Sequence, residues 1–173
     1  GDIIHAATST SSVRPSGSSV GPTENWEVRL CSHSLLPCSL QFVGTSSSSF
    51  VRHSQNIVCQ ASDGCTGITL QNAVVQCDPN VMAPSATFQV SGDGAALRIE
   101  GSTFTDCRSM QDGGAVRAYD GATVNISGST FQRSASQGNG GAAALLGARA
   151  TVNGTRFEAC TSDKSGGAAF SGQ

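Results

Sequence analysis

The sequence predicts an all-β chain built around a parallel β-helix. Three observations carry that expectation. A phrase occurs three times in the C-terminal half. It runs Ile99-Glu-Gly-Ser-Thr-Phe104-Thr-Asp-Cys107 with Gly113-Gly114-Ala115-Val116, then Ile126, Phe131, Ser134 with Gly140-Gly141-Ala142-Ala143, then Val152, Phe157, Cys160 with Gly166-Gly167-Ala168-Ala169. Phe and the Gly-Gly-Ala triplet both recur at nearly constant spacing, so one turn of a solenoid spans about 26–27 residues. Composition is the third observation: 13% of residues are charged and 5% aromatic, with abundant Ser and Thr, which suits a narrow β structure better than a broad globular core.

Residues 1–24 are Ser/Thr/Gly-rich, as in Thr8-Ser-Thr-Ser-Ser12 and Ser16-Gly-Ser-Ser19, and read as an extended tail or linker whose one apolar handle is Ile3-Ile4. Residues 25–67 read as an irregular, Cys-rich β region with candidate strands Trp26–Leu30 and Ser39–Val43 and a loop at Ser46 to Ser49. Residues 68–173 are expected to form the regular turns, beginning with Ile68-Thr-Leu70 through Cys77 as a degenerate copy of the repeat. Gly1 is no initiator Met and Gln173 falls within a would-be fourth turn, so the chain reads as a piece of a longer protein.

Within each good repeat three short strands are expected. Leu97 and Ile99, Val124 and Ile126, and Val152 alternate inward, leaving Arg98, Asn125 and Asn153 outward. Phe104, Phe131 and Phe157 would stack as an internal ladder, Val116, Ala143 and Ala169 would form a second inward column, and the paired glycines would turn a corner that a Cβ obstructs. Hydroxyl residues are assigned to the outer faces.

The alternation of Gly-Gly-Ala with a Phe-x-x-polar phrase resembles the repeat of chlamydial polymorphic outer-membrane proteins (Pmp) and of Pmp-like surface proteins, over roughly residues 96 to 173. Cys107, Ser134 and Cys160 stand where that family usually has Asn. The resemblance implies a right-handed parallel β-helix serving as an adhesive or structural surface stalk.

Seven cysteines occur without a C-x-x-C pair, which argues against zinc and leaves either disulfides or buried free thiols. Disulfides are favoured by the secreted character of the rest of the chain. Cys107 and Cys160 share a column two turns apart, about 9.6 Å by the strand spacing, too far to bond. Cys77 lies one turn from Cys107 and is within reach, Cys31 with Cys38 and Cys59 with Cys65 would close local loops, and Cys160 is left over.

Two sequons, Asn125-Ile-Ser127 and Asn153-Gly-Thr155, are placed at the outward site of the same strand on successive turns, making both candidate N-glycosylation sites. A polysaccharide lyase or hydrolase is the competing class, because many parallel β-helices act on polysaccharides. The acids of the repeat do not stack as a catalytic pair would require; Asp106 aligns with Arg133 and Ala159, and Glu158 with Gln132 and Thr105. Asp106 with Arg133 reads as a surface ion pair. No catalytic residue, cofactor or metal site is assigned; His5, His33 and His53 share no spacing, and Ser-Gly-Asp93-Gly and Gln-Gly-Asn139-Gly read as turns.

A net charge of −2 without a basic run argues against nucleic acid, and no apolar stretch is long enough to span a bilayer. The expected function is a structural or adhesive extracellular or cell-surface glycoprotein, possibly a filament or appendage subunit. Its expected partners are copies of itself or other matrix or surface proteins and glycans. The alternative is a carbohydrate-binding or polysaccharide-acting β-helix whose catalytic residues lie elsewhere, for which Tyr119 and Phe170 are the plausible outward aromatics.

Overall fold

The computed structural model describes residues 4–7, 27–29, 31, 37–43, 49–52 and 56–172. Trp26, Leu30, His33, His53, the loop residues 44–48 and most of the expected tail lie outside them. The chain is all-β, a parallel β-solenoid of about five turns. Its strands are, in order, β1 (Ile4–Ala7), β2 (Glu27–Arg29), β3 (Cys38–Val43), β4 (Ser49–Arg52), β5 (Asn56–Gln60), β6 (Cys65–Gln71) and β7 (Val74–Cys77). The next turn is β8 (Phe88–Ser91), β9 (Ala96–Glu100), β10 (Thr103–Thr105) and β11 (Arg108–Ser109), followed by β12 (Val116–Tyr119), β13 (Thr123–Ser127), β14 (Thr130–Gln132) and β15 (Ala135–Ser136). The series ends with β16 (Ala143–Leu146), β17 (Arg149–Asn153), β18 (Arg156–Glu158), β19 (Thr161–Ser162) and β20 (Ala169–Gly172).

Each of the last three turns contributes one strand to each of four sheets, and the earlier turns contribute none to the fourth. One sheet runs β2-β5-β8-β12-β16-β20, a second β1-β3-β6-β9-β13-β17, a third β18-β14-β10-β7-β4, and a fourth β11-β15-β19. The regular repeats thus hold four strands, not three; the fourth is too short for a period-two pattern to show. All pairings along the stack are parallel, whereas β1 adds to β3 antiparallel, Ile4 opposite Phe42 and Ala7 opposite Ser39. Residues 25–67 supply strands to the same sheets as the repeats: β2 pairs with β5 and β3 with β6, the latter with a register shift between Cys38 and Ser39.

Inward columns build the core. Ile68, Leu97 and Val124 align, as do Leu70, Ile99 and Ile126; Val152 continues the second column but, contrary to the inward placement expected of it, is exposed on the last turn. Phe88, Val116 and Ala143 diminish along one column, and only at the last of these steps does the neighbouring column, Val90, Ala118 and Leu145, enlarge. Phe104 and Phe131 are fully buried and stack at 4.6 Å between ring centroids; Phe131 and Phe157 stack at 5.2 Å. Phe88 meets Phe104 edge-on at 6.0 Å.

Corners follow from conformation. Asn72, Gly101, Gly128 and Gly154 occupy one corner column, all left-handed with φ between 52° and 56°, which is inexpensive for Gly and tolerated by Asn. A second left-handed column, Asp106, Arg133 and Ala159, contains no glycine.

Hydroxyls assigned to the outside prove in part to be internal. Ser102, Ser109, Ser129, Ser134, Ser136 and Thr87 are buried. Ser102 Oγ accepts from the Ala73 amide at 3.0 Å and donates to Glu100 O at 2.9 Å; Ser129 Oγ accepts from the Ser102 amide at 3.1 Å and donates to Ser127 O at 2.9 Å. A second column, Ser109, Ser136 and Ser162, ties the loop before each Gly-Gly through carbonyls such as Gly113 O, 2.9 Å from Ser109 Oγ. These serines satisfy backbone groups that a corner takes out of the ladders. Ser134 differs: its Oγ is buried without a partner among the described residues. Ser129→Ala is therefore expected to destabilise by about 1–3 kcal/mol by orphaning the Ser102 amide, while Ser134→Ala is neutral or stabilising. Urea unfolding of the two variants beside wild type checks the contrast.

Candidate functional site

The cysteines are placed by the stacking. Cys31 is bonded to Cys38, Cys59 to Cys65, and Cys77 to Cys107 with 4.9 Å between Cα atoms. The last of these joins adjacent turns, and all three are consistent with an extracellular protein. Cys160 is free and half-buried, in the column of Cys107 and Ser134. Its Sγ lies 3.5 Å from Phe131 O and 3.4 Å from Glu158 O, either of which can accept its one S–H, and burial pushes the thiol pKa up. A thiol so placed is a weak nucleophile at neutral pH.

Both sequons lie on the outer face of the sheet that contains β13 and β17, and both asparagines are exposed. They do not share a column. Asn125 is opposite Thr151, and Asn153 is opposite Ser127. Ile126 pairs with Val152, so Asn153, which follows Val152 directly, falls beyond Ile126 rather than level with Asn125. The diagonal between the asparagines is about 8 Å by strand spacing and rise. Asn125 sits mid-strand between Arg98 and Thr151, whereas Asn153 ends β17 at a corner, where Thr155 Oγ1 donates to Asn153 O at 3.2 Å.

Asp93, Glu100, Asp106, Asp112 and Glu158 each face a basic side chain. Arg133 makes a two-pronged contact with Asp106, Nε at 2.7 Å and an Nη at 2.9 Å, and this hydrogen bonding together with the charge of Asp106 raises the arginine pKa further. Arg149 reaches Asp93 at 3.1 Å, across more than one turn, and also donates to Gly121 O at 3.3 Å. Arg98 pairs with Glu100, Arg156 with Glu158, and Gln132 donates to Glu158 at 2.8 Å. Such exposed pairs are individually weak.

One organised outer surface was not legible as a group. On the sheet holding β8, β12 and β16, Ser85 Oγ donates to Gln89 Oε1 at 2.7 Å, Gln89 Nε2 donates to Tyr119 OH at 3.0 Å, and the Arg117 guanidinium lies 5.0 Å from the Tyr119 ring centroid. Arg117 also donates to Gln111 Oε1 at 2.7 Å and approaches Asp112 at 3.7 Å. Phe170 faces outward on the same sheet, two strands from Arg117 in the same column. The only signal was the alignment of Gln89 with Arg117, which appears once the length of the turn between β8 and β12 is known.

Asp93-Gly and Asn139-Gly act as turns. Asn139 is held by Asp112, whose Oδ1 accepts from its amide at 2.7 Å and from its side-chain Nδ2 at 3.1 Å. Among the described residues no group of three or more His, Cys, Asp or Glu side chains is placed to hold a metal ion, and no helix is long and apolar enough to cross a membrane. His5 lies on β1.

No protein-family model, curated protein or solved structure matches the chain.

Proposed function

We propose that the chain is a structural or adhesive β-solenoid glycoprotein of the cell surface or extracellular space, and not an enzyme. It would be a stiff element of a stalk, appendage or filament, in contact with copies of itself or with other surface or matrix proteins and glycans. The observation that carries this reading is the use of the repeat's carboxylates as ties. Asp93 and Asp106 each bind an arginine of a later turn, and Glu158 accepts from Gln132 of the turn before it. A glycoside-hydrolysing site would instead need two carboxyl groups facing each other across a substrate path. The disulfide between adjacent turns and the internal serine columns add stiffness of the kind a stalk needs. The resemblance of the Gly-Gly-Ala repeat to Pmp-like surface proteins supports the same conclusion, as do the two exposed sequons.

The test is to secrete the chain from a eukaryotic host and assay the product in two ways. Saturable binding to cell monolayers, matrix coatings or immobilised chain, with no reducing sugar released from a panel of acidic and neutral polysaccharides, is the expected result. Polysaccharide cleavage, or absence of binding to every surface including itself, would overturn it.

A further inference from the structure

The chain contains one Asp-Pro step, Asp78–Pro79, where the backbone leaves the stack between β7 and β8. The nitrogen of such a bond is a tertiary amide without a hydrogen. It takes up a proton and departs more readily than an ordinary amide nitrogen, and the aspartyl carboxyl can close a five-membered ring on the carbonyl carbon it departs from. A tight turn holds the step in place. The Val81 amide donates to Asp78 O at 3.1 Å, and Asp78 Oδ1 accepts from the Asn80 amide at 2.9 Å and from Asn80 Nδ2 at 3.3 Å. The carboxyl group is thereby tied to its own turn, and its Oδ2 has no hydrogen-bond partner among the described residues. Pro79 and Asn80 are exposed, so water reaches the bond. Arg108 Nη1 donates to Pro79 O at 2.9 Å, and among the described residues no other charged side chain is in hydrogen-bond contact with the turn. Arginine stays charged throughout the acid range, so an acid response of the turn belongs to Asp78.

We propose that Asp78–Pro79 is a self-cleavage site, at which the folded chain splits in mild acid into two pieces that stay joined. An Asp78 carboxyl oxygen bonds to the Asp78 backbone carbonyl carbon, and the charge that builds on Asp78 O is met by the Val81 amide. The bond from that carbon to the Pro79 nitrogen breaks, and the nitrogen leaves as a secondary amine carrying the proton of the carboxyl group. The cyclic anhydride left on Asp78 takes up one water and opens to a free side chain and a new C-terminal carboxyl group. The net reaction is hydrolysis of one peptide bond, and no oxidant or reductant takes part. The pieces cannot separate. Cys77, beside the break, is bonded to Cys107 of the second piece. Across the break β5 also pairs with β8, β6 with β9 and β7 with β10, so the product is a two-chain solenoid whose new ends lie in an exposed turn.

The experiment uses the full chain with its disulfides formed, held at the lowest pH at which circular dichroism shows it folded. The reduced chain in denaturant at the same pH runs beside it, and both are followed until the denatured chain is cut. The folded chain should gain the mass of one water and remain a single species until it is reduced, when it should give fragments ending at Asp78 and beginning at Pro79. Cleavage should run about tenfold faster in the folded chain than in denaturant, the factor that one hydrogen bond already in place on the attacked carbonyl supplies. Asp78→Ala removes the nucleophile and Pro79→Ala restores an ordinary amide; each variant, verified as folded by circular dichroism, should stay whole. A folded chain that stays whole while the denatured chain is cut, equal rates in the two, or the same fragments from Asp78→Ala would each overturn the proposal.

Discussion

Phe131→Ala is expected to lower the unfolding free energy by about 3–5 kcal/mol, the range for truncating a fully buried aromatic. Phe131 is completely enclosed and lies between two rings, Phe104 at 4.6 Å and Phe157 at 5.2 Å, so truncation removes its own burial and one stacked neighbour from each side. Stacked aromatic pairs contribute about 0.5–1.5 kcal/mol each beyond the area they bury. The cavity could not close easily, because the turn above and the turn below are held apart by the backbone ladders of β10, β14 and β18. Phe157→Ala makes the control. Its ring is half-buried and stacked on one side only, so a loss of about 1–2 kcal/mol is expected. In a solenoid each turn contacts only its neighbours, and a weakened inner turn uncouples the turns on either side. Urea denaturation should therefore show a lower midpoint for Phe131→Ala, together with a shallower slope as the transition ceases to be two-state. Equal effects at the two positions would mean that the ring stack does not bear on stability as the geometry requires.

The difference between these two phenylalanines was not legible in the sequence, although the ladder itself was. Phe104, Phe131 and Phe157 recur at nearly equal intervals because the turns of the later repeats have nearly constant length, and a constant period survives as a pattern. The earlier turns pair into the same sheets, with a register shift between Cys38 and Ser39, but not at constant spacing. Ile57 aligns with Phe88, a longer step than that from Phe104 to Phe131, because the segment Asp78 to Thr87 loops out before rejoining the stack through a bridge between Ala83 and Ser109. Autocorrelation fails across such an insertion even though the ladder continues. Asn153 was misplaced within a turn of ordinary length: it follows Val152, the partner of Ile126, and so pairs with Ser127 instead of standing level with Asn125.

The buried serines were hidden for another reason. Alternation assigns a hydroxyl to the solvent side of a strand, yet Ser102 and Ser129 sit at corners, where the backbone amide of the preceding residue column needs an acceptor and the next turn's hydroxyl supplies it. The outer network of Ser85, Gln89, Arg117 and Tyr119 crosses two turns, so its members are scattered along the chain and only the register unites them. The pairing of Asp106 with Arg133 was readable because both lie inside the regular repeat, where counting one period is enough.

The Gly-Gly-Ala triplet gives the sharpest test of the stacking itself. A Cβ added to Gly114 would come within 2.4 Å of Cys107 O and Gly141 O and 2.7 Å of Ala135 O, and one added to Gly141 would come within 2.2 Å of Gly167 O and 2.3 Å of Thr161 O. All of these are backbone carbonyls, and all but Cys107 O belong to the next turn, so no side-chain rotation can relieve the contact. Accommodation means prising the turns apart where Gly114 N donates to Gly141 O at 3.0 Å and Ala115 N to Ala142 O at 2.9 Å. Gly114→Ala and Gly141→Ala are therefore each expected to cost more than about 4 kcal/mol, a large part of the roughly 5–15 kcal/mol that holds a typical domain folded. Two controls separate this close approach from the ordinary preferences of glycine. Gly167 occupies the same column but would bring a Cβ no nearer than 3.7 Å, to Cys160 O, so Gly167→Ala should be nearly neutral. Gly128 has φ +54° with open space around it, and Gly128→Ala should cost only the left-handed backbone penalty of about 1–2 kcal/mol. Gly128→Asn should cost less, since Asn72 already adopts φ 52° in that corner column. Thermal and urea unfolding of the five variants would rank them. Gly114→Ala behaving like Gly128→Ala would mean that the turns are not packed carbonyl against glycine, and the account of the Gly-Gly corner would have to be abandoned.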